Sequence, residues 1–116
     1  MRRKNIKDRC EKRKLPRFNE VCRTYDVIQF TYATILSERE ELKEIRCNVH
    51  LEGLKEGDYT SDFVCIKQNG ELMVRECVFR KHLSKPMTAK LVDASREYWL
   101  RRGVSDWGIV IDKEGV

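Results

Sequence analysis

Two runs of largely alternating apolar residues, over 59–66 and 71–78, flank Gln68-Asn69-Gly70, and this pattern constrains the chain more than any other feature. Period-two alternation on both sides of a turn containing Asn-Gly predicts a β-hairpin. Its register has two solutions. A three-residue loop with Gly70 left-handed pairs Lys67 with Glu71, Val64 with Val74 and Asp62 with Glu76. A two-residue Asn69-Gly70 turn pairs Asp62 with Cys77 instead and sends Glu76 to the opposite face, because a one-residue slip inverts every side chain. The three-residue loop is expected, since it gathers Val64, Ile66, Leu72 and Val74 on one apolar face. Register therefore decides whether a paired-carboxylate site exists.

Around this hairpin the pattern is that of an α/β domain. Phe18, Val21, Cys22, Tyr25, Ile28, Tyr32, Ile35 and Leu36 recur at helical spacing behind Pro16, which predicts a core-facing helix. Ser37 and Glu40 have capping-box spacing and predict a second, short helix over 38–46. Residues 49–52 alternate as a strand and lead into a turn at Gly53, Gly57 and Asp58. Ser84-Lys85-Pro86 signals a helix start, Met87, Leu91, Ala94 and Tyr98 form its buried stripe, and Gly103 ends it. The nearly all-apolar Trp107-Gly-Ile-Val-Ile111 run predicts a strand covered on both faces. The expected order is α-α-β-β-β-α-β, a sheet with helices packed on it, as one domain over residues 18–116.

Charge sets off the first 17 residues. They hold nine Lys or Arg against Asp8 and Glu11, a net +7, whereas the rest of the chain, with fifteen basic and seventeen acidic residues, is −2. Such a basic arm on a nearly neutral body suits a polyanion whose counterions it displaces, and Arg2, Arg3, Lys4, Lys12, Arg13 and Lys14 are its candidate phosphate contacts. A solvated tail that aids solubility is the plainer alternative. No aromatic residue is interleaved with these charges, so single-strand stacking is not indicated. The five cysteines are odd in number and lack CxxC spacing, which points to reduced thiols of a cytoplasmic protein and against zinc. No stretch reads as a signal peptide or membrane span, so no membrane partner is expected.

Paired Asp62 and Glu76 would repel unless a cation or proton lies between them. A hard divalent ion, Mg2+ or Mn2+, would remove the repulsion and could activate water against a phosphate. The plainer reading has Asp62 ending a strand in solvent and Glu76 in a salt bridge with Arg75 or Arg80.

The stretch Tyr59-Thr60-Ser61-Asp62-Phe63-Val64, followed by Val74-Arg75-Glu76-Cys77-Val78, resembles the pattern of TnsA-type transposon endonucleases in the PD-(D/E)xK superfamily. The likeness in layout extends over about residues 20 to 112. It implies a restriction-endonuclease-like core with a mixed sheet flanked by helices, Asp62 and Glu76 as metal ligands and DNA as partner. It also implies a ligand on the first helix, near Gln29, with Asp26 as a substitute one turn earlier. Two departures stand out. Ser61 replaces a proline that shapes the turn, and Val78 replaces the catalytic lysine. Losing one preorganised charge stabiliser costs about 3 to 4 kcal/mol of transition-state stabilisation. Lys81 is the candidate replacement, and Arg80, Lys81, His82 and Lys85 form a basic loop expected near the site mouth.

The functional expectation is a DNA-interacting protein of a mobile element or phage, with cleavage weakened or lost. The alternatives are a non-catalytic inhibitor of a host defence nuclease or CRISPR effector, and an active Mg-dependent endonuclease. A protein partner, transposase-like or a host defence complex, is compatible with each.

Overall fold

The computed structural model describes residues 10–112. The hairpin forms from β4 (Thr60–Lys67) and β5 (Leu72–Cys77). Lys67 N donates to Glu71 O at 2.8 Å, Gly70 N to Lys67 O at 2.9 Å, and Gly70 adopts φ 91°. This is the three-residue loop, with a left-handed residue that favours glycine. Val64 pairs with Val74 and Ile66 with Leu72, the register the apolar face predicts.

A four-stranded mixed sheet grows from this hairpin. β3 (Leu42–His50) pairs antiparallel to β4, β6 (Asp106–Val110) pairs parallel to β5, and the order is β3-β4-β5-β6. Helix α1 (Val27–Ser37) covers one face, where Ile28, Ala33 and Leu36 pack with Ile45, Phe63, Cys65, Met73 and Cys77. Helix α2 (Pro86–Leu100) covers the other, where Leu91 and Trp99 pack with Val64 and Val74. Strand alternation gives the sheet two apolar faces, so the molecule has three layers. No helix among the described residues is long and apolar enough to cross a membrane.

The amino-terminal elements differ from expectation. The helix predicted from Phe18 begins only at Val27, where Asp26 caps it by accepting from Gln29 N at 2.8 Å. Before the cap, β1 (Glu11–Arg13) and β2 (Cys22–Thr24) form an antiparallel ribbon, and Phe18 bridges to Ile45. Cys22 and Thr24 point inward around exposed Arg23, so a period of two lay inside the apparent helical spacing.

The short helix predicted over 38–46 is not formed. Ser37 closes α1 by donating to Thr34 O at 2.7 Å, and β3 takes over from Leu42. An irregularity in the ladder between Leu42 and Glu44 lets Leu42 and Ile45 both enter the α1-side core. A bulge thus produces the three-residue spacing that imitates a helix. β1 precedes the ribbon partner β2, so the described order is β-β-α-β-β-β-α-β.

The boundary drawn at residue 17 on charge is not a structural break. Arg13 donates to Thr34 Oγ1 at 2.8 Å and Phe30 O at 2.7 Å and lies 3.6 Å above the Phe30 ring. Arg17, at φ 72°, donates to Ser37 O at 2.6 Å, a carbonyl that the end of α1 leaves open, and to Leu42 O at the start of β3 at 3.1 Å.

Phe63 is fully buried, its ring centroid 6.3 Å from Phe18 and 5.8 Å from Tyr32, so it joins the amino-terminal segment, α1 and the sheet. Phe63→Ala is expected to lower the unfolding free energy in urea by about 3 to 5 kcal/mol. A loss under about 1 kcal/mol would mean that this junction is not part of the cooperative core.

Candidate functional site

The paired ladder between β4 and β5 ends at Phe63 and Arg75, and beyond it the two carboxylates take over. Asp62 N donates to Glu76 Oε1 at 2.9 Å, and Cys77 N donates to Asp62 Oδ2 at 2.7 Å. Each side chain thereby satisfies the other strand's backbone. Neither residue is exposed, so the solvent-facing alternative for Asp62 does not hold. Arg75 is committed elsewhere, donating to Asp106 Oδ1 at 2.7 Å, while Lys67 Nζ lies 2.8 Å from Asp106 Oδ2.

Glu76 has further donors. Ser95 Oγ donates to its Oε2 at 2.6 Å, and the Ser61 hydroxyl also hydrogen-bonds it. Both serines are directed by tryptophans: Trp99 Nε1 donates to Ser61 Oγ at 2.9 Å and Trp107 Nε1 to Ser95 Oγ at 3.2 Å. A hydroxyl has one hydrogen, so a serine that accepts from an indole can give its own hydrogen to the carboxylate. Both tryptophans of the chain thus feed one glutamate. Burial, then the charge of Asp62, still push the Glu76 carboxyl up to about 7, against the pull of these donors.

On the α1 side, Gln29 Nε2 donates to Asp62 Oδ1 at 3.2 Å and to Asn48 Oδ1 at 2.9 Å, while its Oε1 accepts from Tyr25 N at 2.8 Å. Asn48 Nδ2 donates to Arg23 O at 2.8 Å. Asn48 sits within β3 at φ 55°, a left-handed conformation that asparagine tolerates better than most residues. Tyr59 is buried beside the pair, and burial followed by the Glu76 charge keeps its hydroxyl protonated.

No family model matches this chain, and no curated protein matches it.

Asp62, Glu76 and Gln29 are brought together, while no described hydrogen bond or ion pair joins Lys81 to them. Lys81 is exposed in a 3-10 turn (Arg80–His82), with Nζ 5.8 Å from the Phe79 ring centroid and its charge felt by Asp112. Val78 is buried, and its N–H donates to Val110 O at 2.9 Å. Asp26 is occupied as the α1 cap. Among the other candidate phosphate contacts, Lys12, Lys14, Arg80 and Lys85 are exposed, whereas Arg13 is held by α1. Arg2, Arg3 and Lys4 lie outside the described residues.

The donor set fits a divalent ion poorly as it stands. All four carboxylate oxygens accept protein hydrogens, and Gln29 turns its amide nitrogen, not its oxygen, toward Asp62. Inverting that amide would offer an oxygen but remove the acceptor of Tyr25 N. Magnesium also retains waters that need room. Among the described residues there is no group of three or more His, Cys, Asp or Glu suited to a metal.

The sequence pattern does not mark Asn48, Ser95 or Trp107 as site residues, and it offers Trp99 only as a candidate lining of a DNA groove beside Arg101 and Arg102. Ser95 had a signal, a small polar residue beside Ala94 on a helix's apolar stripe; Asn48 had none, because its role depends on the β3 backbone.

With divalent ions chelated, Glu76 binds its proton more tightly folded than unfolded. Its stabilising contribution is fully present below 4.5 and is lost as pH rises through about 7. Urea unfolding across this window should show wild-type stability falling relative to Glu76→Gln, a comparison that cancels other titrating groups. Parallel pH profiles for the two proteins would refute the raised carboxyl.

Proposed function

We propose that this chain is a DNA-interacting protein on a restriction-endonuclease-like framework, resembling TnsA-type nucleases, whose cleavage chemistry is lost or severely weakened. The observation that carries this reading is the convergence of Gln29, Asp62 and Glu76, the three positions that the resemblance assigns to metal ligands. The succession α1-β3-β4-β5-α2-β6 supports it, as does the parallel β5–β6 pair. Loss of chemistry follows from four features. Val78 offers methyl groups where the lysine would face phosphate, Lys81 is turned to the surface, Gln29 replaces a charged ligand with an amide, and the carboxylates are already hydrogen-bonded.

DNA affinity on this reading is electrostatic. It comes from the basic amino-terminal residues together with exposed Arg80, Lys81 and Lys85, and needs no working nuclease site. A second reading, a protein-blocking scaffold of mobile-element or phage origin, is favoured by exposed Val27, Phe30 and Ile35 on α1. These apolar side chains on a surface helix suit a protein partner.

Conversion of supercoiled plasmid to nicked circles in Mg2+ or Mn2+ tests the lost chemistry. Wild type is expected to leave plasmid intact; cleavage abolished by Asp62→Ala would overturn the reading in favour of an active endonuclease. Binding to duplex DNA should weaken with salt. Replacing Arg2, Arg3 and Lys4 by Gln should lower the slope of log affinity against log salt by about 2 to 3, if each meets one phosphate. An unchanged slope would remove the arm from the interface, and absence of DNA binding would favour the protein-blocking scaffold.

A further inference from the structure

We propose that Cys47 and Cys22 form a peroxide-reactive dithiol site, in which Cys47 is the attacking thiolate and Cys22 closes a disulfide that ties the amino-terminal ribbon to the sheet. The pair spans two elements, Cys22 on β2 and Cys47 on β3, and both belong to the α1-side core. Their strands are clamped one residue further on by the Asn48–Arg23 hydrogen bond of 2.8 Å. Cys22 and Cys47 sit in the same core cluster on adjoining strands, and each thiol is the leading influence on the other's ionisation. Both are free thiols.

Accessibility and charge distinguish their roles. Cys22 is fully buried, whereas Cys47 is partly exposed and lines a cleft of about 340 Å3 together with Phe18, Arg23, Tyr25 and Val49. A small peroxide can therefore reach Cys47. The Cys22 hydrogen bond, the Arg23 backbone N–H and the Arg23 charge pull the Cys47 thiol down to about 6, against the effect of burial. Cys22 is raised, first by the same hydrogen bond and then by burial, and keeps its proton. Thiolate character with access is what makes a cysteine reactive. Buried Cys65 provides the contrast, since burial pushes its thiol up to about 12.

The chemistry closes without a cofactor. The Cys47 thiolate attacks one peroxide oxygen, the O–O bond breaks, and the departing oxygen leaves as water after protonation, giving a sulfenic acid. The Cys22 sulfur then attacks the Cys47 sulfur; the S–O bond breaks and the hydroxyl leaves as water with the Cys22 proton. Two electrons pass from the two thiols to hydrogen peroxide, and two waters form.

The full chain, reduced and then treated with one equivalent of hydrogen peroxide, should lose the mass of two hydrogens and yield a peptide joining Cys22 to Cys47. In Cys22→Ser, dimedone should label Cys47 as the trapped sulfenic acid, and Cys47→Ser should form neither product. A measurement on unmutated protein guards against misfolded variants: at neutral pH iodoacetamide should modify Cys47 at least about tenfold faster than Cys65. Equal alkylation rates, or oxidation confined to Cys10 or to intermolecular dimers, would overturn the proposal.

Discussion

The structure turns on what it takes to keep two carboxyl groups side by side away from water. A buried ionised carboxylate costs several kcal/mol unless its charge is met, and a like charge alongside raises that cost. Here the response comes in protein hydrogens: two backbone amides at the end of the hairpin ladder, a glutamine from α1, and serine hydroxyls from β4 and α2. The donors come from β4, β5, α1 and α2, so the pair draws both helices onto the sheet. The tryptophans add a second tier by directing the serines, one indole from α2 and one from β6. Removing a single donor would leave the charge partly unmet in a low dielectric, where an unpaired buried polar group is costly.

Legibility in the sequence followed the range of the forces involved. The hairpin was readable because its loop, its alternation and its register are local and agree, down to Gly70 at φ 91°. Helix α2 was readable in its extent, with Pro86 opening it, but its buried face is turned from the predicted stripe: Leu91 and Ala94 are buried, Met87 is exposed, and Thr88, Ser95 and Trp99 are buried instead. β3 was not, because the ladder irregularity near Leu42 converts strand geometry into helix-like spacing, and only pairing with β4 reveals it. The ribbon was hidden likewise: Glu11–Arg13 reads as charge, and its strand character exists only against Cys22–Thr24. At the site, the carboxylate pair was accessible through register and Gln29 through family likeness. Ser95 carries a faint signal, a polar residue on an apolar helix face, whereas the indole of Trp107 on β6 reaches it only through three-dimensional packing.

The same distinction applies to charge. A count over the first 17 residues treats every Lys and Arg as available to phosphate, yet Arg13 and Arg17 spend their guanidinium hydrogens on carbonyls and a hydroxyl of the body. Arg suits this use because its planar fork can serve two acceptors at once. Their charge still contributes to the surface field, but two of the five N–H groups of each are engaged by the body. Lys12 and Lys14, exposed on either side of Arg13, retain the mobile ammonium groups that polyanion contact uses. The net charge of a segment therefore overstates the phosphates it can bind directly.

Asn48 connects the two chemical features of the molecule. Its left-handed backbone, uncommon for a non-glycine residue, aims one amide atom at Gln29 beside the carboxylates and the other at Arg23 on the ribbon. It also follows Cys47 directly, so a bond between Cys47 and Cys22 would form one residue from the clamp that orients Gln29. Strain of this kind persists only where surrounding contacts hold it, and both contacts here are hydrogen bonds to single partners. Tightening the β2–β3 junction would thus bear on the amide that faces Asp62, which gives the dithiol a physical route to the carboxylate pair. The route runs through one side chain with two partners, and Tyr25 N, one residue past β2, meets the same glutamine from its other end, so the β2–β3 junction bears on Gln29 through both its amide atoms.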